Sequence, residues 1–238
     1  MFLDHFYQTT GERIQISAEQ GSRFAKEVAN DFNPLHNPDS KRFCVPGDLL
    51  FSLVLKKYGL SQNMTFKYTG MVGNNLPLEL PLTDAEKLVI TDEKGKDYLH
   101  VERAGAISDD AQLIENFARS YVAFSGISFP HILVPLMQQN KVMINPSRPM
   151  VIYDNMSFEL HDLNLRNPQL KLTDSTLDVD GKRGLIKLHF AIFENDIEVG
   201  KGSKNMTIGG LREYDEAEMQ QLIQIYEKSK QAYQQQVA

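Results

Sequence analysis

The chain has 238 residues, 42% of them hydrophobic, and a formal net charge of −6. That length suits one large domain or two of about 120 residues, and the acidic balance offers no basic excess to neutralise nucleic-acid phosphates. A single cysteine, Cys44, excludes an internal disulfide framework and any zinc site built on two or more cysteines.

In chain order, residues Met1 to His5 lack the basic region and apolar run of a signal peptide. No apolar stretch approaches the roughly 18–20 residues that span a bilayer. A cytoplasmic protein with neither membrane nor nucleic-acid partners is expected. Ser17-Ala18-Glu19-Gln20 has the spacing of a capping box and predicts a helix to about Asn30, with Phe24, Ala25 and Val28 as its apolar stripe. Asn33-Pro34 is expected to end it, because the residue before a proline disfavours helix. Asp31 and His36 then fall on the loop that leaves the helix. A second helix is predicted from about Pro46 to Tyr58; Leu49, Leu50, Phe51, Leu53, Val54 and Leu55 make it apolar nearly all round, as a buried helix is. Strands are predicted at 64–68, 76–80, 87–90, 98–103 and 113–124, with a hairpin turn at Gly95.

The second half repeats this plan. Phe129-Pro130-His131-Ile132-Leu133-Val134 is expected to open a helix as Val45-Pro46-Gly47-Asp48-Leu49-Leu50 does. Strands follow at 156–160, 169–172, 175–179, 185–193 and 197–208, with turns at Asp180-Gly181 and Asn195-Asp196. Leu188-His189-Phe190 falls where Leu99-His100-Val101 falls in the first half. Asp215 and Glu218 predict a C-terminal helix to about Tyr233, and Gln234 to Gln236 a frayed tail. The pattern gives an α+β chain of two units, 1–125 and 126–238, each an antiparallel sheet wrapping a central helix, plus the C-terminal helix.

A carboxylate and an imidazole five residues apart on one loop suit acid–base work around one water. The start of a buried helix offers N–H groups to a developing oxyanion. The string Asp31-Phe32-Asn33-Pro34-Leu35-His36 resembles the catalytic loop of the MaoC-like, (R)-specific enoyl-CoA hydratase family. The resemblance is specific over about residues 17 to 55. It implies a hotdog fold, here two tandem hotdog units, the second degenerate and shaping the acyl tunnel. It implies that Asp31 and His36 are the catalytic pair, supported by Ser52, and that Gly47 holds the thioester oxygen through its backbone N–H. Asn33, Gly47 and Asp48 are the substrate-binding candidates.

The implied activity is that of a lyase of fatty acid metabolism, a hydratase or dehydratase of 2-enoyl or 3-hydroxyacyl thioesters. It needs no metal or redox cofactor, with coenzyme A or acyl carrier protein carrying the substrate. A double hotdog completes its site within one chain, so a monomer is feasible beside a homodimer. Two departures stand out. The family's His-Gly-Met is Pro46-Gly47-Asp48 here, and the linker from His36 to Pro46 is shorter. The Asp48 carboxylate complements the helix dipole but would oppose an oxyanion if it faced the site. Two alternatives therefore stay open: a non-catalytic acyl-thioester-binding protein and an acyl-CoA thioesterase. Lys41, Arg42, Lys56 and Lys57 flank the site in sequence, as partners for coenzyme A phosphates or as solvated charges.

Overall fold

The structure, a computed structural model, describes residues 2–126 and 128–237. Short strands β1 (Gln8–Thr10) and β2 (Arg13–Gln15) lead into helix α1 (Ala18–Glu27). The capping box closes as expected: Ser17 Oγ accepts from the Gln20 N–H at 3.1 Å, and Gln20 Oε1 accepts from the Ser17 N–H at 3.0 Å. The helix ends before Asn33-Pro34, because Asn30 turns left-handed at φ 52°. Helix α2 (Gly47–Tyr58) is buried continuously from Asp48 to Leu55. Strands β3 (Leu60–Tyr68), β4 (Leu78–Glu79), β5 (Lys87–Asp92) and β6 (Asp97–Ser108) follow.

The segment expected as a strand at 113–124 is helix α3 (Ala111–Gly126). Its buried residues Leu113, Ile114, Phe117, Ala118, Tyr121, Val122 and Ser125 recur at helical spacing. Asp110 caps it, its Oδ1 accepting from the Leu113 N–H at 2.7 Å. The aromatic and β-branched side chains favour strands, but period and cap decide. The helix expected from Phe129 onward is broken: a short turn α4 (Ser128–His131), with Phe129 itself extended, precedes α5 (Leu133–Gln139).

The remaining elements are β7 (Val142–Met143), β8 (Val151–Leu160), β9 (Gln169–Asp180), β10 (Arg183–Glu194), β11 (Ile197–Gly209), β12 (Arg212–Glu213) and α6 (Glu216–Val237). Asp215 caps α6 through Glu218 N–H at 2.8 Å. The Glu218 carboxylate meets Arg212 instead of closing a box, and Gln234 to Gln236 lie within the helix.

The large sheet is antiparallel, in the order β1-β2-β4-β5-β6-β3-β8-β11-β10-β9. The halves join where Asn63 to Lys67 of β3 face Glu159 to Asn155 of β8. Outward from that join the order is β3-β6-β5-β4 on one side and β8-β11-β10-β9 on the other, so the same chain order repeats about the centre. This is a hotdog sheet twice over, in an α+β chain. By this order β10 stands in the place of β5, and β11 in that of β6. The expected match of 188–190 to 99–101 is thus off by one strand: 169–172 and 175–179, expected as two strands, form the single strand β9.

The larger core runs through both halves: α2 and α3 pack with β3 and β6 and with Met156, Phe158, Phe190 and Ile192. A smaller core gathers α5 with Ile186, Leu188, Met206 and Ile208. Helix α6 reaches back to the loop after α1, where Tyr226 and Tyr233 meet the Phe32 ring edge-on, at 5.9 and 6.1 Å between centroids. Among the described residues no helix is long and apolar enough to cross a membrane.

Candidate active site

The Asp31 loop is shaped by its own side chains. Asp31 Oδ1 accepts from the Asn33 N–H at 2.9 Å, and Asn33 Oδ1 accepts from the Leu35 N–H at 3.1 Å, capping one 3-10 turn over Pro34–His36. That turn swings the imidazole inward. His36 Nδ1 lies 2.7 Å from the Cys44 carbonyl oxygen. A carbonyl can only accept, so Nδ1 carries the proton and Nε2 is the exchanging atom. Nε2 lies 3.6 Å from Asp31 Oδ2, slightly beyond direct hydrogen bonding, which leaves both ends to a third atom.

Both groups face a cavity of about 350 Å³ at the start of α2, and Asn33, Gly47 and Asp48 line it with them. Two tyrosines crowd Gly47: a Cβ there would come within 3.0 Å of the Tyr153 ring and 3.1 Å of the Tyr68 ring. The Tyr68 hydroxyl donates to the Gly47 carbonyl at 3.0 Å. Ser52 does not join the pair. Its hydroxyl donates to the Asp48 carbonyl one turn back, at 2.8 Å, and it is absent from the cavity lining. Its side chain satisfies the helix instead. Lys56 and Lys57 do not flank the site either. They lie at the far end of α2, roughly 14 Å along the axis from Gly47; Lys56 binds Asp4 and Tyr7, and Lys57 the Leu80 carbonyl.

Asp48 points inward. It is 8% exposed, and its Oδ2 accepts from Ser125 Oγ at 2.6 Å. Its Oδ1 is buried without a hydrogen-bond partner among the described residues. The Lys204 ammonium, 4% exposed, donates to the same Ser125 hydroxyl. Burial raises the Asp48 carboxyl above its ordinary range against the pull of Lys204 and Ser125. Burial also lowers the Lys204 ammonium against the pull of Asp48 and Asp31. Lys204 lies 4.2 Å from the centroid of the Tyr153 ring, and Tyr153 shares a hydroxyl–hydroxyl bond with Tyr121. Burial holds the Tyr68, Tyr121 and Tyr153 phenols well above the ordinary range.

A second, more apolar cavity of about 230 Å³ adjoins the first, lined by Phe129, Leu133, Met137 and Ile144 and by Leu222, Ile225 and Tyr226 of α6. Asp31, Asn33, Ser125 and Lys204 line both.

A family model described as "Protein of unknown function (DUF3581)" matches residues 1–217. The chain belongs to this family. No curated protein matches the DUF3581 chain by sequence. Among solved structures it is similar to a conserved protein with a hot dog fold from Alicyclobacillus acidocaldarius, at 10% identity and a TM-score of 0.48, over 87% of this chain and 98% of that one. It is also similar to an acyl-CoA thioesterase II from Mycobacterium marinum, at 10% identity and 0.40, over 91% and 99%. A MaoC-like dehydratase is similar at 10% identity and 0.40, over 86% and 98%. The strand order of the DUF3581 chain itself carries the fold.

Sequence reading missed Ser125, Lys204 and the three tyrosines. One signal was available. Lys204 shares the inward parity of Met206 and Ile208 on β11, where a lysine is out of place unless paired.

Proposed function

We propose that the chain is a hydratase or dehydratase of 2-enoyl or 3-hydroxyacyl thioesters, of the MaoC-like kind, with coenzyme A or acyl carrier protein as carrier. The observation that carries this is the Asp31–His36 pair: an imidazole fixed at Nδ1 by Cys44, with Nε2 and the carboxylate facing one cavity 3.6 Å apart. In the dehydration direction Nε2 takes the α-proton of a 3-hydroxyacyl thioester, and the electron pair moves toward the thioester oxygen. The electrons return, the β-hydroxyl leaves with the one proton that the pair shares, carried on Asp31 when the cycle begins, and water departs. The proton on Nε2 then passes across the short gap to the carboxylate, which resets the pair. Hydration is the same path reversed.

The test follows the ultraviolet absorbance of conjugated enoyl-CoA esters of graded chain length. Turnover is expected, with Asp31→Asn and His36→Gln each slower by about 100-fold or more. Unchanged absorbance at every chain length, or full activity in Asp31→Asn, overturns the reading.

The tyrosines packed over Gly47 favour a second reading, a binding protein for acyl thioesters without turnover. It predicts saturable heat of acyl-CoA binding with no change in absorbance. A thioesterase would instead release free thiol.

A further inference from the structure

The second half brings one cation into the site. A buried ammonium is costly unless paired and hydrogen-bonded. Lys204 is paired indirectly: its ammonium donates to Ser125, and Ser125 donates to Asp48 at 2.6 Å. The hydroxyl thus carries the opposite charges to one another. An ammonium has three N–H groups. Ser125 takes one and the Tyr153 face lies 4.2 Å away, which leaves a donor for whatever enters the cavity. Lys204 also lines both chambers. A thioester with its acyl chain in the apolar chamber and its carrier in the other would place its carbonyl at that junction.

We propose that Lys204 is a catalytic residue whose ammonium holds the thioester oxygen as that oxygen gains negative charge. This rests on the acyl-thioester reading above. As His36 Nε2 removes the α-proton, the C–H electron pair becomes the enolate double bond and the carbonyl π pair moves onto oxygen. Lys204 meets that charge, and the pair returns when the β-hydroxyl leaves. No other reactant is needed. The start of α2 offers backbone N–H groups; the Lys204 side chain, from the other half, adds charge. Asp48, which taken alone would repel the oxyanion, is the counter-charge that lets the lysine stay buried.

The test uses the full chain and acetoacetyl-CoA, a β-keto thioester whose enolate absorbs in the ultraviolet. Lys204→Met alone strands a buried carboxylate, so the charge-balanced Asp48→Asn/Lys204→Met variant carries the test, with thermal melting to check its fold. Removing the Asp48 charge by itself favours an enolate, so any loss reports the lysine. Wild type is expected to raise the enolate fraction of the bound thioester at fixed pH. In the double variant that fraction falls by at least about tenfold, and kcat for enoyl-CoA falls about 100-fold with KM within about threefold. Wild-type enolate in the double variant overturns the proposal, as does a wild type that fails to raise the enolate. Enolate stabilisation without enoyl-CoA turnover sinks the hydratase reading and leaves Lys204 as the oxyanion holder.

Discussion

Asp48 occupies a position that a helix favours for a carboxylate and an oxyanion does not. Its role became readable only with its partners in place. Asp31 and His36 are legible in sequence because one short loop carries both. Ser125 and Lys204 are 79 residues apart and meet only through folding. Ser52 donates within its own helix, because a buried hydroxyl there takes the nearest carbonyl, that of Asp48. Cys44 gives a direct check on the cavity wall. Burial raises its thiol from 9.0 to about 11. At pH 8 the native thiol is therefore expected to alkylate about 100-fold more slowly than the denatured one, measured by mass spectrometry over time. Equal rates would show that the wall beside His36 is open.

At the scale of elements, the ends of helices position the site. Gly126 closes α3 against the chain before Asp31: a Cβ there would lie 1.6 Å from the Ala29 carbonyl oxygen. Gly126→Ala is expected to lower stability by about 1–3 kcal/mol and to move the Asp31 loop, seen as a lower Tm together with lost activity. Retention of both would show that α3 does not set the loop. Ser17→Ala removes one side of the capping box and is expected to cost about 1 kcal/mol, read from the denaturation midpoint. Capping residues made α1 and α6 legible. Helix α3 was not, because its strand-forming residues outweighed a helical period that only the buried face displays. The correspondence between the halves slipped by a strand for another reason: Thr173 and Asp174 interrupt the apolar alternation, yet β9 runs through them.

For the whole molecule, burial sets an alkaline limit. Tyr58, Tyr226 and Tyr233 are each raised from 10.0 to about 12. The folded chain keeps protons that the unfolded chain releases, so the contribution of these tyrosines is full below pH 10 and falls as pH rises toward about 12. Cys44 adds the same sign from 9.0 to about 11. Lys26 and Lys204, held below 10.5, act oppositely but only up to that pH. Urea midpoints at pH 8, 10 and 11 are expected to drop steeply above 10; a flat series would mean that these groups are as exposed in the fold as out of it. The join of β3 to β8 has a consequence in time. About 80 residues separate the end of β3 from the start of β8. At about 5–20 residues per second, a growing chain exposes the bare edge of β3 for on the order of 4–16 seconds before its partner strand exists. An unpaired edge is a template for other chains. During synthesis, the strand that ends up at the centre of the finished sheet is therefore itself an edge, open to a foreign partner for that interval.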